Sequence, residues 1–287
     1  MRILLSFLIS SFATVCSAQS ITPERIEIAK KTVGRIILGE SPFTGTGFFI
    51  SSTGEVLTCW HVIQPSITLD SVGNLKNIGR IFFEMLSGES IELVLPDDFF
   101  KNPILNELAV GSDFCMLRPA KRLKDPVPFL RLGRFENVAE GEDIYTVGYP
   151  LGMTNQFRSK GILSTKFTDS ISLLNSGKSK VFRKNVALLD LTINKGNSGG
   201  PIIKFGTSAK DDQVIGIASF LINPFGPTAA KFVEDISDPK LNMTIQNPNG
   251  SWVNLTEAFK LFGNAVVYSS NGISGCVSIN YFLQALK

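Results

Sequence analysis

Short apolar segments separated by glycine, proline, serine or asparagine recur through most of the chain. The first set comprises Val33–Leu38, Gly47–Ile50, Val56–Cys59, Ile81–Met85, Ile91–Leu95 and Phe114–Leu117. The second set comprises Ile144–Val147, Gly161–Phe167, Val186–Ile193, Ile202–Phe205, Val214–Leu221, Ala265–Tyr268 and Gly275–Ile279. Short apolar runs bounded by turn residues are typical of antiparallel strands. The two sets predict an all-β fold built from two small barrels.

Helices are predicted at both ends of the folded region. Thr22-Pro23-Glu24 provides an N-cap, a first-turn proline and an acid, so a short helix is expected to about Lys31. Ser278 is placed to cap a final helix from Asn280 to Leu286. The predicted units are residues 19–118 for the first helix and barrel, 119–135 for the connection, and 136–287 for the second barrel and last helix.

An insertion interrupts the second set of strands at residues 223–272. It is rich in proline and asparagine, and a helix is predicted from Asn254 to Phe262. Long loops on a rigid scaffold often carry function, and the sequence leaves three roles open: a lid, a partner-binding surface or an oligomer contact. The N-glycosylation pattern occurs at Asn242, Asn249 and Asn254, but it recurs by chance and no glycan is assigned.

The first 18 residues have the three parts of a secretory signal peptide. Arg2 precedes an apolar run that ends at Val15, and Cys16-Ser17-Ala18 follows. This run is too short to span a membrane comfortably. We therefore expect cleavage after Ala18, a secreted or periplasmic protein, and no membrane span once the leader is removed. A lipid anchor at Cys16 and an uncut tether are the alternatives, although bulky Val15 fits lipoprotein processing poorly.

Composition and charge narrow the classes of partner. Hydrophobic residues make up 44% of the chain and the formal net charge is +3, as expected of a folded protein with substantial cores. The basic residues are scattered, and the group Lys178, Lys180, Arg183 and Lys184 is expected to decorate a solvated loop. Because no basic patch is interleaved with aromatic residues, no nucleic-acid partner is predicted.

Three cysteines would remain in the processed chain, namely Cys59, Cys115 and Cys276. This odd, sparse set does not make a disulfide scaffold, and with only one histidine it does not make a zinc site. No metal and no cofactor are predicted. Cys59 and Cys115 are interpreted as small buried core residues, while a disulfide between them stays open as the alternative in an oxidising compartment.

The segment Gly196-Asn197-Ser198-Gly199-Gly200-Pro201 places a serine in a glycine-rich turn between two apolar runs. A serine hydroxyl is a poor nucleophile at neutral pH, so it needs a base to take its proton and N–H groups to hold the oxyanion. The small residues around Ser198 permit a turn that aims backbone N–H groups at one point. Gly196, Asn197 and Ser198 are therefore the predicted oxyanion turn.

His61 and Asp113 are the predicted partners of Ser198. His61 is the only histidine of the chain and follows the strand-like run Glu55–Cys59. A third group must hold the imidazole tautomer and stabilise the imidazolium, and Asp113 opens an apolar run where an acid is costly without a partner. The competing acids lie in turn-like or proline-bordered stretches. They are Asp70, Asp97, Asp98 and Asp125.

Four blocks, in the order histidine, aspartate, serine, resemble the chymotrypsin-fold serine proteases. The blocks are Gly45–Ile50, Thr58–Val62, Ser112–Leu117 and Gly196–Pro201. Asn194–Gly200 and Tyr145–Pro150 are most similar to the HtrA/Deg branch. The resemblance implies two antiparallel six-stranded β-barrels with the active site in the cleft between them. It also implies a serine endopeptidase that cleaves proteins or peptides through an acyl-enzyme without a cofactor.

The resemblance also implies which residues bind substrate, namely Thr192, Ser219 and Gly275. Because no acid stands at Thr192, the pocket has no counter-charge for lysine or arginine, and cleavage after small or medium apolar residues is expected. Ser219-Phe220-Leu221 is expected either to pair with substrate backbone as an added strand or to be an ordinary barrel strand.

Two departures from the resembled families restrict what carries over. Asn197 stands where trypsin-like digestive enzymes have an aspartate that pairs with a newly cut amino terminus, so that activation is not implied. The chain ends at Lys287, directly after the last predicted strand and helix, so no PDZ domain is expected. The alternative function is a protease-fold binding protein or chaperone, latent or inactive, that holds unfolded chains. An oligomer is compatible with either function.

Overall fold

A computed structural model of the protein describes most of the chain beyond the predicted leader. The described residues are 20–39, 44–69, 75–97, 99, 110–175, 178–221, 226–238, 241, 243–267 and 273–285. The predicted signal peptide, residues 1–18, lies outside these ranges, as do parts of the insertion.

Eight strands of the described chain precede the connection between the barrels. They are β1 (Val33–Leu38), β2 (Thr44–Phe49), β3 (Val56–Thr58), β4 (Ile67–Leu69), β5 (Leu75–Ile78), β6 (Ile81–Met85), β7 (Ser90–Val94) and β8 (Cys115–Pro119). Six of them close into an antiparallel barrel in the order β1-β2-β3-β8-β7-β6, while β4 and β5 form a separate hairpin. In β7, buried Ile91 and Leu93 alternate with more exposed neighbours, as expected of a strand with one face on the core.

The remaining strands build the second barrel and a small hairpin. They are β9 (Arg131–Leu132), β10 (Asp143–Gly148), β11 (Phe157–Asn175), β12 (Lys178–Asp190), β13 (Pro201–Lys204), β14 (Gln213–Leu221), β15 (Thr244–Gln246), β16 (Trp252–Asn254) and β17 (Ile273–Ser278). The sheet order is β13-β10-β11-β12-β17-β14-β9, and pairing of β13 with β14 closes six of these strands into a barrel. The expected all-β fold of two six-stranded antiparallel barrels is confirmed.

The described part of the chain has five α-helices. They are α1 (Pro23–Thr32), α2 (Trp60–Ile63), α3 (Gly226–Asp235), α4 (Leu255–Val267) and α5 (Asn280–Ala285). The Thr22 hydroxyl accepts the Arg25 N–H at 3.4 Å and so caps α1, and the Asn280 N–H donates to Ser278 Oγ at 3.2 Å at the start of α5. Among the helices that the structure describes, none has the length and apolar content needed to cross a membrane.

Helix α1 is fastened to the second barrel although it leads directly into the first. Arg25 donates to both carboxylate oxygens of Asp212, at 2.8 and 3.0 Å, and this carboxylate also accepts the Tyr145 hydroxyl at 2.7 Å. The two charged side chains are 9% and 5% exposed. Further along, Gln156 Nε2 donates to the Val33 carbonyl at 2.8 Å. The start of β1 is therefore held between the barrels.

Two expectations about local structure are wrong. The strand expected at Ala265–Tyr268 is absent, because residues 265–267 form the end of α4 and Tyr268 lies outside the described residues. The apolar positions there continue a helical period that begins at Leu255. The basic group expected in a loop lies instead on β12, where Lys178 pairs with Asn175 at the end of a long hairpin. Continued backbone pairing with β11 outweighs the polarity of that sequence.

Candidate active site

Helix α2 brings His61 to the surface of the first barrel. β3 ends at Thr58, and α2 begins two residues later at Trp60. Ile63 is fully buried and anchors this short helix, while the side chain of His61 is 43% exposed. Trp60 stacks on Phe99, with ring centroids 5.4 Å apart. The strand end therefore presents the imidazole outward, as the sequence predicts.

Asp113 lies next to His61 and holds its ring. Nδ1 of His61 is 2.8 Å from Oδ2 of Asp113, and the His61 backbone N–H donates to Oδ1 at 3.0 Å. Because the carboxylate faces Nδ1, the Nδ1–H tautomer is favoured and Nε2 is left as the basic atom. The backbone of Asp113 is left-handed, with φ of 53°. Aspartate tolerates this region better than most residues, and the conformation turns the carboxylate back onto α2.

Ser219 is a further partner of Asp113. Its hydroxyl donates to Oδ2 of the carboxylate. Ser219 sits at a bulge in the pairing of β14 with β17, between Ala218, which faces Cys276, and Phe220, which faces Gly275. A bulge re-aims a side chain relative to the regular pleat. Ser219 was predicted from the resemblance to bind substrate, and the structure gives it a bond to the aspartate as well.

The pKa of Asp113 lies below its ordinary value. Burial opposes ionisation of this carboxyl, but hydrogen bonds from the His61 ring, the Ser219 hydroxyl and the His61 backbone more than offset that effect. Asp113 is therefore ionised at neutral pH, as a group that stabilises an imidazolium must be.

The turn around Ser198 is fixed peptide by peptide. The Gly196 carbonyl accepts the Thr46 hydroxyl at 2.7 Å, and the Asn197 N–H of the same peptide donates to the Asn194 carbonyl at 2.9 Å. The Asn197 carbonyl accepts the Gly200 N–H at 2.9 Å. The planes of the Gly196–Asn197 and Asn197–Ser198 peptides are thus held by neighbouring backbone or side-chain groups.

Two N–H groups of this turn stay available. In a trans peptide the carbonyl and the N–H point in opposite directions, so the Ser198 N–H points away from the Gly200 N–H, which the Asn197 carbonyl accepts. Within the described part of the chain, neither the Gly196 N–H nor the Ser198 N–H has an acceptor. Paired free N–H groups beside a nucleophile are the arrangement that binds an oxyanion. Asn197 contributes its bend, while its own N–H is already donated.

The Ser198 turn and the His61 segment pack against each other across the barrels. The Ser198 carbonyl accepts the Thr46 N–H of β2 at 2.8 Å. A Cβ on Gly199 would lie 2.1 Å from the Thr46 carbonyl oxygen and 3.0 Å from the Cys59 nitrogen, two residues before His61. Only glycine fits there. No hydrogen bond joins Ser198 Oγ to His61 among these residues, and catalytic hydrogen bonds of this kind commonly tighten when substrate binds.

A cleft of about 500 Å³ opens beside His61 and Asp113. Its lining also includes Trp60, Gln64, Val110, Asp169 and Ser219. Asp169 comes from the β11–β12 hairpin, far along the chain from the histidine, and the sequence offered no signal that it would reach this cleft. Thr192 is exposed, with its N–H on Ser159 Oγ at 3.2 Å, and Gly275 is buried in β17.

The three described cysteines are free and fully buried. Burial, and then the charge of Asp113, raise the pKa of the Cys59 thiol well above its ordinary value. The Cys59 sulfur, a His61 ring nitrogen and an Asp113 oxygen lie within 4.8 Å of one another. Because the thiol stays protonated and the other two groups bind each other, this cluster is better described as a histidine–aspartate pair with a thiol behind it than as a metal centre.

Two closed barrels, with a histidine–aspartate pair on one and a serine in a glycine-rich turn on the other, define the chymotrypsin-like class of proteins. The family model described as trypsin-like peptidase domain matches residues 45–217, which is more than half of the chain. The chain therefore belongs to the trypsin-like peptidase family.

Individual relatives agree with the HtrA/Deg branch that the sequence resembles. The putative protease Do-like 14 of Arabidopsis thaliana is 28% identical over 63% of this chain and 36% of its own length. Serine protease HTRA3 of Mus musculus is 28% identical over 61% of this chain and 32% of its own. The chain thus spans about a third of these relatives. A solved structure of an HtrA-type protease with a tripeptide aligns at a TM-score of 0.50 and 18% identity, over 91% of this chain and 60% of that one.

Proposed function

We propose that the chain is a serine endopeptidase with Ser198 as nucleophile, His61 as base and Asp113 as the group that orients the histidine. The observation that carries the proposal is the contact between His61 Nδ1 and Asp113 Oδ2 at 2.8 Å, which leaves Nε2 as the atom that can take a proton, in a residue that lines the cleft. Membership in the trypsin-like peptidase family supports the same chemistry.

The proposed reaction passes through an acyl-enzyme. Ser198 Oγ attacks the peptide carbonyl carbon while its proton moves to His61 Nε2. The carbonyl oxygen becomes an oxyanion held by the N–H groups of Gly196 and Ser198, each of which would be worth about 10²–10³ in kcat. His61 then gives the proton to the leaving amine. Water, activated by the same imidazole, hydrolyses the ester and frees Ser198.

Substrate binding is proposed at Thr192, Ser219 and Gly275, with a preference for small or medium apolar residues at the cleaved position. No charge at Thr192 favours lysine or arginine. Ala218 of β14 still exchanges backbone hydrogen bonds with Gly199 and Gly200, and beyond Ala218 the pairing of β14 within the described chain is with β17 only. Its other edge at Ser219–Leu221 is therefore open to an extended peptide added as a strand. A cleavage profile dominated by arginine or lysine would contradict this specificity.

An exported location is proposed from the predicted leader at residues 1–18. A relative from Rickettsia conorii, 24% identical over 63% of this chain, is named as a probable periplasmic DegP-like serine endoprotease. Amino-terminal sequencing of the exported protein is expected to start at Gln19. A first residue at or before Cys16 would exclude the proposed cleavage.

Labelling with a fluorophosphonate probe tests the proposed function. Wild-type protein is expected to be labelled at neutral pH, and Ser198→Ala and His61→Ala are expected to lose the label. Binding of an unfolded protein without labelling or cleavage would favour the alternative of a binding protein or chaperone.

A further inference from the structure

Leu151 has an unusual backbone conformation. Its φ and ψ are 56° and 27°, in the left-handed region. Among the described residues other than glycine, only Asp113 and Leu151 have positive φ. Aspartate is common in this region, but leucine is not. The side chain of Leu151 is 67% exposed, so packing of that side chain does not explain the conformation.

The backbone of Leu151 contacts the oxyanion turn directly. Its N–H donates to the Lys195 carbonyl at 2.6 Å. The neighbouring Gly196 is so close that an added Cβ would lie 2.4 Å from the Tyr149 carbonyl oxygen and 3.1 Å from the Leu151 nitrogen. Tyr149 is itself held by its N–H on Thr46 Oγ1 at 3.1 Å. The left-handed turn at Leu151 therefore lies against the peptide that joins Lys195 to Gly196.

That hydrogen bond determines the direction of the Gly196 N–H. The Lys195 carbonyl and the Gly196 N–H belong to one trans peptide and point in opposite directions. When the carbonyl is bound to Leu151, the Gly196 N–H must face away from Leu151. In the structure this N–H has no acceptor among the described residues, as an oxyanion donor requires before substrate arrives.

We propose that Leu151 is a positioning residue whose left-handed backbone sets the orientation of the Gly196 N–H. This inference rests on the proposed function. A strained backbone conformation beside a reacting centre persists only when the surroundings hold it, and it is a reason to look for a role in that centre. The role belongs to the backbone, because the side chain points into solvent.

Substitutions that differ in their tolerance of positive φ test the proposal. A β-branched residue resists this region far more than leucine, whereas glycine and asparagine accept it. Leu151→Val is expected to lower kcat about 10- to 100-fold, somewhat less than outright loss of an oxyanion donor. Leu151→Gly and Leu151→Asn should each regain most of that factor relative to Leu151→Val. KM should stay within about twofold across the series, since the donor acts in the transition state.

A peptide aldehyde gives a second readout. Its adduct with Ser198 carries an oxygen in the oxyanion position, so its affinity should fall in parallel with kcat in Leu151→Val. Met153→Val is the matched control: Met153 lies two residues away, is 49% exposed and has an ordinary φ of −58°. This control should keep the wild-type kcat and aldehyde affinity.

The outcomes separate the two proposals. Loss of activity in Leu151→Gly with retention in Leu151→Val would mean that the side chain matters, and would overturn the positioning role alone. Wild-type protein that neither cleaves nor labels at Ser198 would overturn the proposed function and this inference together. If Leu151→Val does not fold, Leu151→Thr takes its place, because threonine is also β-branched but polar, as suits this exposed site; wild-type kcat in that variant would overturn the positioning role.

Discussion

The buried ion pair between Arg25 and Asp212 is the clearest place to test what joins α1 to the second barrel. Arg25→Met keeps most of the length of the side chain and removes its charge and all its N–H donors. Asp212 is then left in a site where its side chain is 5% exposed. An isolated carboxylate in such a site loses hydration without gaining a counter-ion.

The expected loss follows from what remains around Asp212. Removing one partner of a buried ion pair destabilises proteins by about 3 to 5 kcal/mol. Here the carboxylate keeps the Tyr145 hydroxyl at 2.7 Å and the Gly206 N–H at 2.7 Å, so the low end applies. We expect a loss of about 3 kcal/mol in the free energy of unfolding. For a chain of this size, that corresponds to a fall in Tm of about 6 to 12 °C.

Urea unfolding and differential scanning calorimetry would measure both quantities. Lys30→Ala is the matched control, because Lys30 lies on the same helix and pairs with Glu27 at the surface, where the two side chains are 41% and 58% exposed. A surface pair contributes at most about 1 kcal/mol. Combining Arg25→Met with Asp212→Leu should recover part of the loss, since no buried charge is then left alone. A loss below about 1 kcal/mol in Arg25→Met, or a double variant as unstable as the two single losses summed, would refute the reasoning.

Three further predictions concern the cleft and its thiols. Ser219→Ala removes a hydrogen bond to the Asp113 carboxylate and should lower kcat about tenfold. Because the pKa of Asp113 is lowered in the folded protein, the ionised carboxylate stabilises the fold at pH values above its ordinary pKa, and this stabilisation is lost as the pH falls through the lowered pKa. In Ser219→Ala the loss of stability should begin at higher pH, which melting curves recorded at several pH values would detect. Asp169→Asn should lower kcat/KM about two- to fivefold for peptides with a basic side chain near the cleaved bond and leave neutral peptides unaffected; equal effects on both would exclude a charge role. In a chain that begins after Ala18, three thiols should react with a disulfide reagent after denaturation and essentially none before, and a single reactive thiol in unreduced protein would show a disulfide instead.

The two barrels could be predicted from the sequence because most of their strands are recognisable from local sequence patterns. β1 and β6 have the predicted bounds, since each is a short apolar run closed by turn residues. The prediction of a strand at Ala265–Tyr268 was wrong because a short apolar run at the end of a helix cannot be distinguished from a buried strand by its local sequence. The long β11–β12 hairpin was underestimated because its polar tip is held by pairing between strands, which a local window does not contain.

The same distinction between local sequence patterns and contacts made by the fold applies to the candidate site. His61, Asp113 and Ser198 could be predicted because each stands at a junction between an apolar run and a turn, where a polar residue needs a chemical reason. Asp169 was missed because only the fold brings its hairpin to the histidine. Its place in the lining of the cleft depends on distance through space, and no spacing along the chain encodes that distance.

The oxyanion turn shows why a correct motif is still an incomplete description of a site. Gly196 to Gly200 provide the flexibility for an N–H to face the cleft, but the same flexibility permits the peptide to turn the other way. In the structure the choice is made by residues outside the motif: the Thr46 hydroxyl binds the Gly196 carbonyl at 2.7 Å, and the Leu151 N–H binds the Lys195 carbonyl at 2.6 Å. These two hydrogen bonds fix the peptide before Gly196 and the peptide after it. The Gly196 N–H can therefore point in only one direction. The orientation of the Gly196 N–H in the structure therefore depends on the first barrel, through Thr46, and on the loop after β10, through Leu151.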